Sequence, residues 1–492
     1  MNITRRMAIV GVVALPVVGA GAAGLGKIDL DHINTDTVIV FDNTDVTPSP
    51  YVQNAQNSFR DSPAGGQFIG AVLVRAPLPG KHGAAANSTG RPIGGGSKYG
   101  DWVSPPAEGF VITLAQLEGA LNRHLEEVRA AIANGTPMPR RTVFIADVEI
   151  DIGTTRLVIA PGLTLAGGRG RNGSPGGLIK SSSDTRGTSF VILSRDSLGT
   201  TRQLAPVRIT GLRFLGPNGR EIPPDAWDCS AAGRKAISAY EDGNEDPAKI
   251  VDRVVEIDNN EFDSWPAMAV EIYGIRGGFV HHNYIHHSER NPQEQLPCVL
   301  AFWDWHALGY GVNVNNGLVY IEANRFEVNR HSVASRGSAF TDYVAMYNVL
   351  EQEGPSHHFD VHGGEDRDDG THIAGRNIVI AYNTDYGSDE ATVNIRGNPV
   401  NGAWVIGNQF RGSRDDIKQT KVPKSCRSVF ISTGPGGPGG YWTSVCTSFP
   451  QGLTVQDNIF HYSDPVPPSG PGGQGPGPGW QPGSEGNPIQ QK

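Results

Sequence analysis

Between residues 255 and 460 apolar and polar positions alternate in short bursts. Each burst ends in Asn, one further residue and a bulky apolar side chain. The copies are "VEIDNNEF", "FVHHNYI", "VYIEANRF", "YVAMYNVL", "WVIGNQF" and "LTVQDNIF", with "VIAYNTD" as a degraded one. Their asparagines are Asn260, Asn283, Asn324, Asn348, Asn383, Asn408 and Asn458, with three steps of 23 to 25 residues and longer ones of 41, 35 and 50. Val255 with Ile257, and Ile378 with Ile380, fall on one side, a period of two that predicts strands. A long, fixed repeat of strand units is the mark of a solenoid. Asparagine suits a left-handed corner, and stacked amides can bond along the column.

A second column keeps phase with the first and ends in Gly: "AVEIYG" (269–274), "SVASRG" (332–337), "HFDVHG" (358–363), "TVNIRG" (392–397) and "VFISTG" (429–434). Upstream, "PGLTLAGGRG" reads as an early coil with glycine corners. Before it lies one clear helix, 113–134. Thr113 and Gln116 form a capping box, Leu114, Leu117, Leu121, Leu125, Val128 and Ile132 share a face, and Asn134-Gly135 ends it. Such a helix would cover the open edge of the first coil. The expected fold is an all-β solenoid, a right-handed single-stranded parallel β-helix with an N-terminal capping helix.

The start of the chain, 1–23, reads as a signal peptide. Arg5 and Arg6 precede an apolar run, and Ala20 and Ala22 give a small-x-small cleavage pattern. The paired arginines resemble a twin-arginine export signal, so a secreted or extracytoplasmic location is expected. The run is too short for a stable membrane span. The expected plan is then an N-terminal region at 24–139, the solenoid at 140–461 and a Pro/Gly-rich tail at 462–492 that cannot build a core.

Composition changes this picture little. Charged residues make up 18% and the net charge is −9, which does not suggest nucleic acid. The 64 Gly and 35 Pro fit many turns and little helix. The cysteines, Cys229, Cys298, Cys426 and Cys446, lack metal-finger spacing. Cys426 and Cys446 could close a loop as a disulfide.

Residues 140–460 resemble the right-handed parallel β-helix proteins of the pectate-lyase-like superfamily. The "N-x-F" corners, "PGLTLAGGRG" and the capping helix carry that likeness. Most enzymes of the superfamily cleave or remodel polysaccharides, so the resemblance implies a polysaccharide substrate.

Candidate chemistry gathers on the Gly-ended column. Counting back from each Gly puts Phe359 and Val361 inside and His358, Asp360 and His362 outside. Arg336, His362 and Arg396 then stack about 4.8 Å apart on consecutive coils. Guanidiniums beside an imidazole invite an anion, such as a uronate carboxylate. The leading expectation is β-elimination on an acidic glycan. Arg336 and Arg396 would neutralise the carboxylate, His362 would take the proton and Asp360 would fix its tautomer. Glu271, Tyr273, Asp304, His306, His331, His358 and Asn394 are expected to bind substrate around them. One alternative is a glycoside hydrolase, with Asp304 and Asp360 or Glu271 and Asp304 as its acid pair. Another is a non-catalytic glycan-binding surface.

Metal use stays open. His358 and His362 are too far apart on a straight strand to share an ion, whereas Asp360 with either His could do so with help from a neighbouring coil. The acidic loop "GGEDRDDG" (363–370) could hold calcium. The four histidines of "HHNYIHHSER" (281–290) are expected at satisfied corners or on the surface.

Overall fold

The computed structural model describes residues 77–104, 110–181, 187–217, 234–241, 249–288, 308–351, 356–363, 371–388, 390–420, 426–432, 440–446 and 452–460. The chain divides into two units, 1–37 and 38–492, and every described residue belongs to the second. The expected signal peptide, the C-terminal tail, Cys229, Cys298, Asp304, His306 and most of the acidic loop lie outside the described residues.

The alternation dictates a parallel solenoid, and the strands stack in that way. Among the described residues each coil but the last carries three strands, one more than the two columns read from the repeat. The first face includes Asn377–Ala381 and Gly402–Ile406, the short face holds ten strands among the described residues, such as Glu261–Asp263 and Tyr284–His286, and the third face includes His331–Arg336, Phe359–His362 and Val393–Arg396. First and third faces join where Met268–His281 and Tyr310–Glu322 run unbroken around a corner. Apolar side chains from all three faces fill the interior, with Ile257, Phe262 and Ile272 among them. Phe214 and Phe262 stack inside with ring centroids 4.9 Å apart.

The asparagines do a different job from the one their backbone tolerance suggests. The left-handed residue is the one before each Asn: Asn259, His282, Ala323, Tyr347, Tyr382, Gly407 and Asp457 have φ between 53° and 66°. The Asn side chain is spent on a ladder. Asn348 Nδ2 donates to Ile321 O (2.9 Å) and Asn383 Oδ1 (2.9 Å), while Asn348 Oδ1 accepts from the backbone N–H of Asn324 (2.9 Å). The same contacts recur from Asn260 to Asn458. Each amide thereby satisfies backbone groups that the corner removes from the sheets.

The long steps are insertions. The step of 50 contains an antiparallel hairpin, Cys426–Ser432 with Gly440–Cys446. "VFISTG" is therefore not a rung. Its strand pairs within the hairpin, and Ile417–Thr420 supplies the third-face strand of that coil. Cys426 and Cys446 are register partners across the hairpin.

The helix α1, Leu114–Ala133, covers the first coil as expected, burying Leu117 and Leu121 in the common core. Thr113 accepts from Gln116 N, but the Gln116 side chain reaches Ile112 N (2.9 Å) and not its own cap. Residues 77–104 form a strap that the glycine-rich sequence did not announce. It bonds in turn to Gly407, Thr384, Ala323, Asn259 and Arg169, so it runs along the asparagine corner toward the helix end. Gly95 permits this closeness: a Cβ there would lie 2.4 Å from both Asn259 Oδ1 and His282 O.

Candidate functional site

The third face carries the expected column. Arg336 is the register partner of His362, and the next strand pairs Asp360 with Asn394 and Val361 with Ile395. Phe359 and Val361 are in the core, as alternation requires. Two lines of side chains point away from it. One runs Glu271, Asn313, Ala334, Asp360, Asn394, Lys418, and the other Tyr240, Tyr273, Asn315, Arg336, His362. The coils approach closely here: a Cβ on Gly337 would sit 1.7 Å from His362 O.

Asp360 is the centre. It is fully buried, although its strand position faces away from the core. Arg396 grips both its oxygens, Nε to Oδ1 at 2.8 Å and a terminal nitrogen to Oδ2 at 2.9 Å. His362 Nε2 lies 3.0 Å and His331 Nε2 3.2 Å from Oδ2. Burial opposes ionisation of Asp360, but His362 and Arg396 outweigh it and hold the carboxyl well below its usual range. His362 is 25% exposed at its side chain. Burial lowers its pKa, yet Asp360 and Tyr310 raise it above the ordinary histidine value. The Tyr310 hydroxyl stands 3.3 Å from His362 Nε2.

His331 was expected only as a rim contact. It is instead fully buried, and burial pushes its pKa down to about 3. Its Nδ1 donates to His357 O at 2.7 Å, which leaves Nε2 as the bare nitrogen facing Asp360. Its imidazole stacks on His357, with centroids 5.9 Å apart. His357 Nε2 accepts from Asn394 Nδ2 at 2.9 Å.

Several expected residues lie elsewhere or are already engaged. His358 precedes its strand and is buried in the corner, where it meets Ser332 Oγ (3.0 Å), Gly387 O (3.1 Å) and Asp385 Oδ1 (3.4 Å). It does not share the outward face with Asp360 and His362. The strict alternation that placed it there starts only at Phe359. Arg396 is committed to Asp360, so Arg336, exposed at the rim, is the guanidinium open to a ligand. Glu271 is held by Lys235 Nζ (2.8 Å) and Ser238 Oγ (2.7 Å). Tyr273 stacks on exposed Tyr240 at 4.5 Å. The "NTD" at 383–385 is a ladder Asn followed by a short-face strand.

His331, Asp360 and His362 each offer one ligand atom, all within 4.8 Å of one another. The pair that can share an ion is thus His331 and His362 from adjacent coils, with Asp360 between them. Arg396 already supplies the positive charge at both carboxylate oxygens, and a dication there would meet that guanidinium. Tyr310 and His357 escaped the sequence reading. The long coil between Asn283 and Asn324 hid the phase that sets Tyr310 beside His331, and corner residues such as His357 have no strand parity.

No protein-family model matches the chain, and no curated protein matches it. Among solved structures it is similar to one titled Geobacillus virus E2 - ORF18, at 12% sequence identity and a TM-score of 0.29. The match covers 64% of this chain and 59% of that one, so the chain spans about three fifths of its length.

Proposed function

We propose that the protein is an exported carbohydrate-active enzyme that cleaves an acidic polysaccharide by β-elimination in the trough of the third face. The fold in this reading is a right-handed parallel β-helix of the pectate-lyase-like kind, since crossovers between parallel strands are almost always right-handed. The observation that carries the reaction is the Asp360–His362 pair, 3.0 Å apart, with Tyr310 beside it and Arg336 open above it.

The chemistry follows from those groups. Arg336 binds the uronate carboxylate and takes up the charge that develops when the adjacent carbon loses its proton. Neutral His362 accepts that proton, its ring held by Asp360 and its basicity raised by the same carboxylate. The electron pair of the broken C–H bond forms the new C=C bond, and the glycosidic C–O bond breaks. The leaving oxygen takes a proton from the Tyr310 hydroxyl, which His362 then restores. Tyr240 and Tyr273 supply a stacked aromatic surface farther along the same line.

Either acid pair expected for a hydrolase includes Asp304, which lies outside the described residues, and the two described acids do not make a pair of their own. Glu271 and Asp360 lie three coils apart in register, about 14 Å, beyond the roughly 5–9.5 Å such pairs span. Incubation with uronate polymers distinguishes the readings. Elimination gives unsaturated uronates and rising ultraviolet absorbance. New reducing ends without absorbance would mean hydrolysis, and binding without cleavage a non-catalytic surface.

A further inference from the structure

The motif "HHNYIHH" puts the same device on the solenoid twice, with different endings. His281 and His282 face each other through their Nδ1 atoms at 2.9 Å, with ring planes at 90°. His286 and His287 repeat this at 2.9 Å and 89°. The second member of each pair is left-handed, with φ of 55° at His282 and 52° at His287, and this turns its ring back on the first. Each first member also meets a carboxylate of the preceding coil at Nε2: Glu256 at 3.1 Å for His281, Glu261 at 3.3 Å for His286.

The first copy is closed. Arg208 lies 2.6 Å from Asp258 and 3.7 Å from Glu256, and Asp258 also accepts from Tyr99 (2.7 Å) and Thr210 (2.8 Å). All of these carboxylates are buried, and His282 Nε2 meets Thr89 Oγ of the strap at 3.2 Å. The second copy sits on the short face and is partly open. Asp263 and His287 are half-exposed, and the guanidinium near Glu261 is that of Arg169, at 3.8 Å. Asp263, the register partner of His286, brings Oδ1 to 3.3 Å from His286 Nδ1.

The protons of this copy define what it lacks. Glu261 can only accept, so His286 Nε2 carries the hydrogen. In neutral His286 the Nδ1 lone pair then points at an Asp263 oxygen and at His287 Nδ1. Electron-pair donors from two coils converge on His286 Nδ1, with His287 Nδ1 at 2.9 Å and Asp263 Oδ1 at 3.3 Å, and the three residues each offer one ligand atom within 4.8 Å of the others. Ser264 Oγ donates to Asp263 Oδ1 at 2.7 Å and Tyr284 stacks on His286 at 4.1 Å, so oxygen and ring are both held in place. Glu261 behind His286 is the outer carboxylate that orients a ligating imidazole and strengthens it as a donor.

We infer that His286, His287 and Asp263 form a binding site for one divalent first-row transition metal of the zinc class. Two imidazoles and one carboxylate suit such an ion and not calcium or magnesium. The site lies on a different face from the trough and stands independently of the proposed reaction. The ion would pin two coils together at a corner that a guanidinium secures in the first copy.

The untagged full chain, stripped with chelator, is titrated with Co²⁺ and then Zn²⁺, following visible absorbance and stoichiometry. The expected result is one equivalent bound with d–d bands that Zn²⁺ abolishes. His287→Gly removes the ring while suiting the left-handed corner, and Asp263→Asn removes the charge with little change of shape. Each is expected to lose the bands or weaken binding more than tenfold, and Glu261→Gln to weaken it roughly 10–100-fold. Absence of binding overturns the inference, because a proton on His286 would then balance the carboxylates. Unchanged binding in folded His287→Gly and Asp263→Asn also overturns it, by placing the metal elsewhere. Melting of each metal-free variant alongside the metal-free parent establishes folding, and either folded variant alone decides the question.

Discussion

Arg396 closes on Asp360 from the next coil with two parallel hydrogen bonds, at 2.8 and 2.9 Å. This contact locks adjacent rungs and at the same time sets the charge beneath His362. Removing one partner strands the other in a buried setting. Arg396→Leu is therefore expected to cost about 3–5 kcal/mol of stability, read from urea midpoints. A cost below about 1 kcal/mol would mean that Asp360 finds another cation or takes up a proton.

Arg336 stands in the same line but at the rim, exposed. Arg336→Ala is expected to leave stability within about 0.5 kcal/mol while lowering kcat/KM on a uronate polymer roughly 10²–10³-fold. Arg336→Lys should recover part of that loss. Equal loss on a neutral glycan would remove the assigned role in charge neutralisation.

The elimination requires neutral His362. Because Asp360 lifts its pKa above 6.5, the rate is expected to rise with pH through that raised value and to be low in mild acid. Asp360→Asn removes the lifting charge, so the rising limb should move to lower pH even as the maximum falls. Rate profiles of both proteins at saturating substrate measure this. A limb that stays in place in a folded Asp360→Asn protein assigns the titration to another group.

The ladder makes a graded prediction. Asn348 lies inside it, bonded above and below, whereas Asn458 ends it. Asn348→Ala leaves buried backbone groups without partners, at about 1–3 kcal/mol each. Asn458→Ala should cost clearly less. Thermal melts of the two variants compare them directly, and equal costs would mean the ladder acts locally and not as a column.

What could be read in advance divides along the same physical line. The asparagines were legible because every coil meets the same need with the same side chain. Phe359 and Val361 were placed correctly because a strand alternates. The left-handed residues before each Asn were not legible, since Ala323, Tyr347 and Asp457 share a backbone shape and no chemistry. Corners defeated the parity rule, which placed His358 outward and undervalued His331. "VFISTG" matched the column by composition yet pairs within a hairpin, because a short strand does not encode its partner.

Two buried aspartates give opposite responses to pH. Asp385 stands in the interior column of the short face between Leu350 and Phe410, where other coils place bulky apolar residues. Burial raises its pKa above 3.8, against the pull of His358 and the Thr392 hydroxyl, which donates at 2.7 Å. A raised folded-state value means that its contribution to stability is complete below the unfolded pKa and is lost as pH rises through the folded one. Asp360 has a lowered value, so its contribution is present above the unfolded pKa and is lost as pH falls toward the folded one. Asp385→Asn cannot ionise, so it should gain on the parent protein as pH rises from about 3 to 8. Asp360→Asn should be most destabilised at neutral pH and approach the parent in acid. Urea unfolding of the three proteins across that range measures both trends, and a pH-independent gap for Asp385→Asn would show that its carboxyl titrates alike in the folded and unfolded chains.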